Sequence, residues 1–485
     1  MPTIDFPHLP TRLSDGQREA ILAPDGPLLI TAGPGTGKTL TVAERIAHLV
    51  TTGRASLTEI LALTFSRAAA RTLTARLAIR LGPAGAAIHT TTFHAFGLWL
   101  ARRWPRELGY AGPNLDVYGE REARALLLAA LGEGVVPPPD DALAALAVAI
   151  EDARLALALG AEPLAGVADL AARYEQLLRE NGAVDFPAML AAPLRLFREH
   201  LDILDRCRET YHWIVADECQ DLSPPQCATL RLLVGERGNL TIVGDACQNV
   251  YEWRGADASF LLGFAATYPA ARVVALTENF RSTGNILAVA NALGAAFPYG
   301  HRLWTTNPPG PPPTLHVARD PADEAAFVAG EIACLLESGA LAGPREAAVL
   351  ARTNGQLDAI RAALQERGLP RAGEIGGVAG VRLGTIHAAK GDEWKAVFLV
   401  GMEEGLLPHR RAIEAEQGRE PPPAVALAGE LHAAYVGATR PREYLYLTHC
   451  RRRDEPEPGG GTTTRVCPPS RFLDLLPAGS LVRAA

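Results

Sequence analysis

A chain of 485 residues with 48% hydrophobic and 21% charged residues has room for about three domains and the composition of an ordinary folded protein. Its net charge of −7 excludes a polycation that holds nucleic acid by bulk charge, so any such contact must come from local arginines and aromatic rings. No apolar run approaches the roughly 18–20 residues of a membrane span, no basic-then-apolar leader opens the sequence, and the seven cysteines form no C-x-x-C or zinc spacing. The expectation is a cytoplasmic protein with reduced thiols and no membrane attachment.

In chain order, "PLLITA" (27–32) predicts a short buried strand, and "KTLTVAERIAHLV" continues as an amphipathic helix. "EILALTF" (59–65) is a second strand followed by a long helix. From about 106 to 205 the sequence turns alanine- and leucine-rich, as in "DDALAALAVAIEDARLALALG", and predicts an all-α insertion. "YHWIVADE" (211–218) and "NLTIVGD" (239–245) resume the strands, each ending in acids. Beyond 277 come "TLHVAR" (314–319), "AAVLAR" (347–352), "AVFLVG" (396–401) and "YLYLTH" (444–449), with "NPPGPPP" (307–313) as a stiff loop and "DEPEPGGGTTT" (454–464) as a flexible one. Strand and helix alternating in this way predict parallel sheets covered on both faces. The expected fold class is α/β with two P-loop-type domains: residues 1–105 with 206–276, the helical insertion 106–205, and residues 277–485.

Cations in this chain are nearly all arginine. Lys38, Lys390 and Lys395 are the only lysines, against 44 arginines (47 basic residues less 3). A lysine that survives such a bias is more often required by chemistry. Lys38 lies in "AGPGTGKT", a glycine-rich turn between strand and helix, the arrangement that cradles triphosphate. Ala32 replaces the usual first glycine. Gly33, Pro34, Gly35, Thr36 and Gly37 form the turn, whose glycines let backbone N–H groups face the phosphates. Lys38 reaches the β- and γ-oxygens as a compact charge where a planar guanidinium would not fit. Thr39 is placed to ligate Mg²⁺. "WIVADECQD" supplies the remaining chemistry: Asp217 for magnesium and Glu218 as general base toward the attacking water.

With those residues in view, the sequence resembles a UvrD/Rep-type superfamily 1A DNA helicase over nearly its whole length and in motif order. The resemblance implies that Gln17 in "LSDGQREAI" reads the adenine edge. It implies that "TFSRAAA" (Thr64, Phe65) and "TFHAF" (Thr92, Phe93, His94) grip single-stranded DNA. "VGDACQNVYEWRGA" is similar to the segment in which Asp245 and Gln248 couple the γ-phosphate to DNA and Tyr251, Trp253 and Arg254 meet bases. "TENFRS" implies Phe280 stacking on adenine and Arg281 at the γ-phosphate. "GTIHAAKGDEW" implies Glu393 at the ribose with Lys390 near it, and "AAYVGATR" implies Arg440 as arginine finger. Arg352, Asn354 and His387 are further DNA contacts by the same resemblance. Two parallel-sheet lobes would share one ATP, and stacking aromatics suit passage of any base sequence.

Three departures stand out. Leu40 occupies a position where relatives often carry an arginine beside the adenine. Asp392 stands where a hydrophobic residue usually precedes the glutamate. Only a short segment separates "LQERGLP" from "VRLGT", where full-length relatives insert the large helical 2B domain. In addition to these three, the duplex-splitting hairpin of relatives falls near "CRRRDEPEPGGGTTTRVC", which carries no aromatic wedge. The leading expectation is an ATP- and Mg²⁺-dependent motor moving 3′ to 5′ on single-stranded DNA, acting on tailed duplexes. The alternatives are an ATPase subunit of a nuclease-containing repair or defence complex, and a helicase fold that only binds DNA.

Overall fold

A computed structural model of the chain describes residues 12–132, 136, 138–164, 166–235, 238–372, 380–416, 427–456 and 462–484. Packing divides the chain into two units: Met1–Ile30, Thr39–Val243 and Ser259–Val274, and Thr31–Lys38, Gly244–Ala258 and Ala275–Ala485. The glycine-rich turn and the segment after residue 243 thus pack with the second unit. Among the described residues no helix is long and apolar enough to cross a membrane, and six of the seven cysteines are buried.

Strands occur in chain order as β1 (Leu28–Ala32), β2 (Ile60–Thr64), β3 (His89–Thr92), β4 (Asp116–Val117), β5 (Ala183–Val184), β6 (Trp213–Ala216), β7 (Leu240–Gly244), β8 (Arg272–Leu276), β9 (Thr314–Ala318), β10 (Ala347–Ala351), β11 (Arg382–Thr385), β12 (Trp394–Leu399), β13 (Pro441–Cys450), β14 (Arg452–Pro456), β15 (Thr462–Val466) and β16 (Val482–Arg483). One six-stranded sheet has the order β3-β2-β6-β7-β1-β8 and the other β11-β10-β12-β13-β9-β16. β2 runs parallel to β3 and β6, and β6 to β7. Every pair of the second sheet is parallel. β2, β7 and β10 are buried throughout, which is why these strands read as apolar runs without alternation. The α/β class expected from the sequence is the class observed.

Two expectations need correction. The insertion is not wholly α-helical: β4 and β5 pair in parallel within it. Both are two residues long, too short to leave a periodic signal. The stretch 454–464, expected to be a flexible loop, carries strand on both flanks. β14 and β15 pair antiparallel from Arg452–Val466 to Pro456–Thr462, and residues 457–461 lie outside the described residues. The Arg453 guanidinium anchors this hairpin, bonding Glu324 at 2.7 Å and pairing with Glu403. Both glutamates are buried, and paired buried charge is tolerated where isolated charge is not.

In the first unit, α1 (Asp15–Leu22) precedes β1, α2 (Lys38–Thr51), α3 (Arg67–Leu81) and α4 (Phe93–Arg103) follow β1, β2 and β3, and the insertion brings α5 (Glu120–Leu131), α6 (Asp140–Leu159), α7 (Ala168–Glu180) and α8 (Phe186–Glu199). α4 packs closely on α8. A Cβ on Gly97 would sit 1.8 Å from the Met189 carbonyl oxygen, so only glycine permits that approach. Arg45 of α2 is 1% exposed. Its guanidinium donates to the carbonyls of Ala20 at 2.9 Å and Ala23 at 3.1 Å, and to Thr241 Oγ1 at 3.1 Å. It thereby satisfies the open C-terminal carbonyls of α1, the helix carrying Gln17. Burial lowers its pKa to about 10, so it stays charged at neutral pH. Replacing Arg45 with Leu should leave those carbonyls unsatisfied and reduce unfolding free energy by about 2–4 kcal/mol. Chemical denaturation checks this, with wild-type stability as the contrary result.

Candidate nucleotide and DNA site

In the first unit the hydrolytic candidates follow β6. The register that sets Ala216 beside Leu63 lets the Asp217 N–H donate to the Leu63 carbonyl at 3.0 Å. Asp217 is 3% exposed, and its Oδ1 accepts the Glu218 N–H at 2.9 Å. Glu218 has φ +55°, the single positive φ of a non-glycine residue among the described residues. That left-handed conformation costs on the order of 1–2 kcal/mol, and such strain concentrates where a side chain must be aimed. The turn leaves one carboxylate buried and the next half-buried. Gln220 Nε2 donates to Glu218 Oε2 at 2.6 Å, restraining the carboxylate.

Thr39 is half-buried in the first turn of α2. A hydroxyl and a carboxylate are hard oxygen donors, and magnesium takes only one or two protein oxygens beside phosphates and waters. The donor set therefore fits a metal held mainly by triphosphate. No group of three or more His, Cys, Asp or Glu side chains suited to a metal occurs among the described residues. Gln17 is 1% exposed and closes a capping box, its Oε1 accepting the Ser14 N–H at 3.0 Å.

The strand-gripping candidates of this unit separate by exposure. Thr64 is buried and donates to the Ser66 carbonyl at 3.1 Å. Thr92 caps α4 by accepting the Ala95 N–H at 3.2 Å. Phe93 is 3% exposed, in the core. All three serve the fold. Phe65 and His94 are half-buried, and burial, with the Arg67 charge second, lowers the His94 pKa, so its ring is neutral at pH 7.

Against His94 stands Phe186, edge-on at 5.6 Å between centroids and 46% exposed. Sequence reasoning missed it. Its neighbour Asp185 N-caps α8 through the Ala188 N–H at 2.9 Å and takes a bidentate pair from Arg154 at 2.7 and 2.8 Å. Tyr174 adds a hydroxyl at 3.0 Å. A buried, fully bonded network thus fixes the base of an exposed ring.

In the second unit the glycine-rich turn lies against the loop 279–281. Lys38 Nζ donates to the Ala32 carbonyl at 3.0 Å and the Gly33 carbonyl at 3.5 Å, and Thr36 Oγ1 donates to the Gly33 carbonyl at 2.8 Å. The Phe280 N–H donates to the Gly35 carbonyl at 2.9 Å. Phe280 itself is half-buried. Arg281 Nε meets Glu393 at 2.5 Å and its Nη1 the Thr439 carbonyl at 3.3 Å. Glu393 and Arg440 immediately precede β12 and β13, which are in register at Trp394 and Pro441. Arg281, Glu393 and Arg440 therefore share the edge where those strands begin.

Gln248 is the junction of this unit. Its Nε2 donates to Asp245 Oδ2 at 2.7 Å, its Oε1 accepts from Arg440 Nη2 at 3.0 Å, and its main-chain carbonyl accepts from Lys390 Nζ at 2.6 Å. Gln248 and Arg440 are 4% and 1% exposed. Lys390, expected near the ribose, reaches this carbonyl and stands 5.3 Å from the Tyr251 ring centroid. The Tyr251 hydroxyl donates to the His387 carbonyl at 3.1 Å. Trp253, 55% exposed, lies edge-on to the His387 ring at 6.4 Å. The Arg254 side chain lies outside the described residues. Arg352 follows β10 and is held by Glu430 at 2.8 Å, which ties up part of its fork. Asn354 is exposed and His387 half-buried. The DNA candidates Arg352, Asn354 and His387 thus follow the ends of β10 and β11, opposite the edge that carries the nucleotide candidates.

Residues 13–269 match the UvrD/REP helicase N-terminal domain. The UvrD-like helicase C-terminal domain matches in two pieces, 274–375 and 372–452, that meet at 372–375. ATP-dependent DNA helicase UvrD2 of Mycobacterium tuberculosis is 30% identical over 596 aligned residues, covering 95% of this chain and 81% of that protein. That alignment is longer than the chain, so the relative carries segments without counterpart here. ATP-dependent DNA helicase PcrA of Bacillus subtilis is 32% identical over 74% of this chain and 49% of its own length. DNA helicase II of Escherichia coli is 33% identical over 76% and 52%. The chain belongs to the UvrD/REP helicase family.

Proposed function

We propose that the protein hydrolyses ATP with Mg²⁺ to travel 3′ to 5′ along single-stranded DNA. The Gln248 junction carries the reading. One amide is bonded to Asp245 and to Arg440, the arginine finger. Its main chain is bonded to Lys390, which lies over Tyr251. A change at the terminal phosphate would thus reach the rings that hold bases through bonds of one buried cluster.

In this reading Lys38 and the turn's N–H groups bind the β- and γ-phosphates, and Thr39 and Asp217 hold magnesium. Glu218 takes a proton from the attacking water, and Arg281 and Arg440 stabilise charge on the transferring phosphoryl group. Glu393 releases Arg281 to meet the ribose. Magnesium supplies charge neutralisation on the phosphate oxygens. Phe65, His94, Phe186, Tyr251 and Trp253 form the stacking surfaces, and Asn354 and His387 contact the strand beyond them. The two-piece C-terminal match supports the absence of a large helical domain near residue 372, so strand separation falls to the two motor units and to the hairpin β14–β15.

Turnover should be stimulated strongly by single-stranded DNA, and Lys38→Ala or Glu218→Gln should lower it by about 10²–10⁴-fold. Displacement should occur on 3′-tailed duplexes and not on 5′-tailed or blunt ones. ATPase indifferent to DNA in a folded protein, or displacement from 5′ tails alone, would contradict the proposal.

Trp253→Ala and Phe186→Ala should each weaken single-strand affinity by about 1–3 kcal/mol, which is about 5- to 150-fold. Fluorescence anisotropy with a labelled oligonucleotide measures this, and unchanged affinity for both would remove the stacking surface.

A further inference from the structure

A phosphate loop turns its N–H groups toward the anion, so its carbonyls face the other way and need donors of their own. Two of them are met by one segment, 245 residues away in sequence at Asn279. Asn279 Nδ2 donates to the Pro34 carbonyl at 2.8 Å, and the next N–H, that of Phe280, donates to the Gly35 carbonyl at 2.9 Å. The other end of the same amide is also engaged. Asn279 Oδ1 accepts the N–H of Arg281 at 2.9 Å and of Ser282 at 2.7 Å.

Asn279 is 2% exposed, and its own N–H is bonded to the Trp304 carbonyl at 2.7 Å. The approach is close: a Cβ on Gly35, where φ is +71°, would lie 2.6 Å from Asn279 Nδ2 and 2.7 Å from Arg281 Cβ. Leu303, next to Trp304, closes the neighbouring turn residue, standing 2.5 Å from a Cβ placed on Gly33. Beyond Asn279 the chain is pinned again, by Ser282 Oγ to the Pro441 carbonyl at 2.8 Å and by the Thr283 N–H to the Arg442 carbonyl at 3.0 Å.

We propose that Asn279 is the positioning residue that ties the phosphate loop to Arg281, so that occupancy of the loop sets where the arginine's backbone stands. The inference rests on the ATPase reading above. A planar amide bonded at both ends transmits displacement because neither end can move without stranding a buried polar group. Lys38 lies on the carbonyls of Ala32 and Gly33, immediately before Pro34. When its ammonium transfers to phosphate, the adjoining peptide is free to shift, and Asn279 carries that shift to the main chain of Arg281. Ground-state phosphate is bound by Lys38 and the loop N–H groups. Arg281 acts on charge that develops during transfer, so its misplacement lowers turnover more than affinity.

The informative variant is Asn279→Asp. It keeps an oxygen for the Arg281 and Ser282 N–H groups and sets a second oxygen against the Pro34 carbonyl, so of the amide's bonds only the one to the loop is broken, while the Phe280 N–H to Gly35 bond stays. Wild type and variant are compared for melting temperature, DNA-stimulated kcat and KM for ATP, and amide exchange of residues 280–283 with and without ADP–Mg²⁺. The expected result is a melting temperature within a few degrees of wild type, kcat at least tenfold lower, KM changed less than about threefold, and loss of the ADP-dependent exchange change seen in wild type. Wild-type kcat together with an unchanged ADP response in the variant would overturn the proposal. A large fall in melting temperature with kcat and KM equally affected would also overturn it, since Asn279 would then be only a structural cap. An inactive wild type would defeat the ATPase reading alone, because ADP-dependent exchange still reports the link. Loss of that exchange change in the variant would then support the link, and its persistence would overturn it.

Discussion

Coupling in the proposed motor depends on the buried amide of Gln248. Its nitrogen is committed to Asp245, its oxygen to Arg440 and its main-chain carbonyl to Lys390. Asp245 is fixed as well, because its Oδ1 accepts the Cys247 N–H at 3.0 Å and winds the turn Ala246–Gln248. Leaving one of these groups without its partner costs about 1–3 kcal/mol. The cluster therefore favours discrete arrangements over gradual distortion, which is the property required of an element that converts chemistry at a phosphate into a changed hold on a strand.

The same economy explains the lysines. In a chain that writes 44 of its 47 basic residues as arginine, two of the three lysines touch main-chain carbonyls beside the machinery: Lys38 at Ala32 and Lys390 at Gln248. A guanidinium presents its donors in a fixed planar fork, suited to carboxylates, as Arg453 and Arg154 show here. An ammonium on a flexible stem suits a single carbonyl or phosphate oxygen and can exchange one for the other.

Much of the fold was legible because buried parallel strands leave uninterrupted apolar runs, as in "LLITA", "LTIVG" and "AAVLA". The nucleotide candidates could be named from the sequence because loop chemistry constrains both residue type and spacing. The DNA candidates were less readily sorted. Thr64, Thr92 and Phe93 belong to recognisable motifs yet are buried, since a motif preserves the fold around a contact as well as the contact. Phe186 left no signal because exposure of one ring at a helix start depends on the Arg154–Asp185 network that precedes it. Asn279 sits inside the quoted "TENFRS", but its importance comes from meeting a carbonyl 245 residues distant, which no local pattern encodes. The short strands β4 and β5 and the flanks of the loop at 454–464 escaped for want of length.

In the proposed function, the nucleotide state and the grip on the strand communicate through Gln248. The direct test is single-strand affinity with and without a non-hydrolysable ATP analogue, in wild type and in Gln248→Met, which keeps volume and removes both side-chain hydrogen bonds. The analogue is expected to shift affinity in wild type, and in the variant the shift should shrink at least fivefold while nucleotide-free affinity stays near wild type. An undiminished shift in the variant would contradict that coupling.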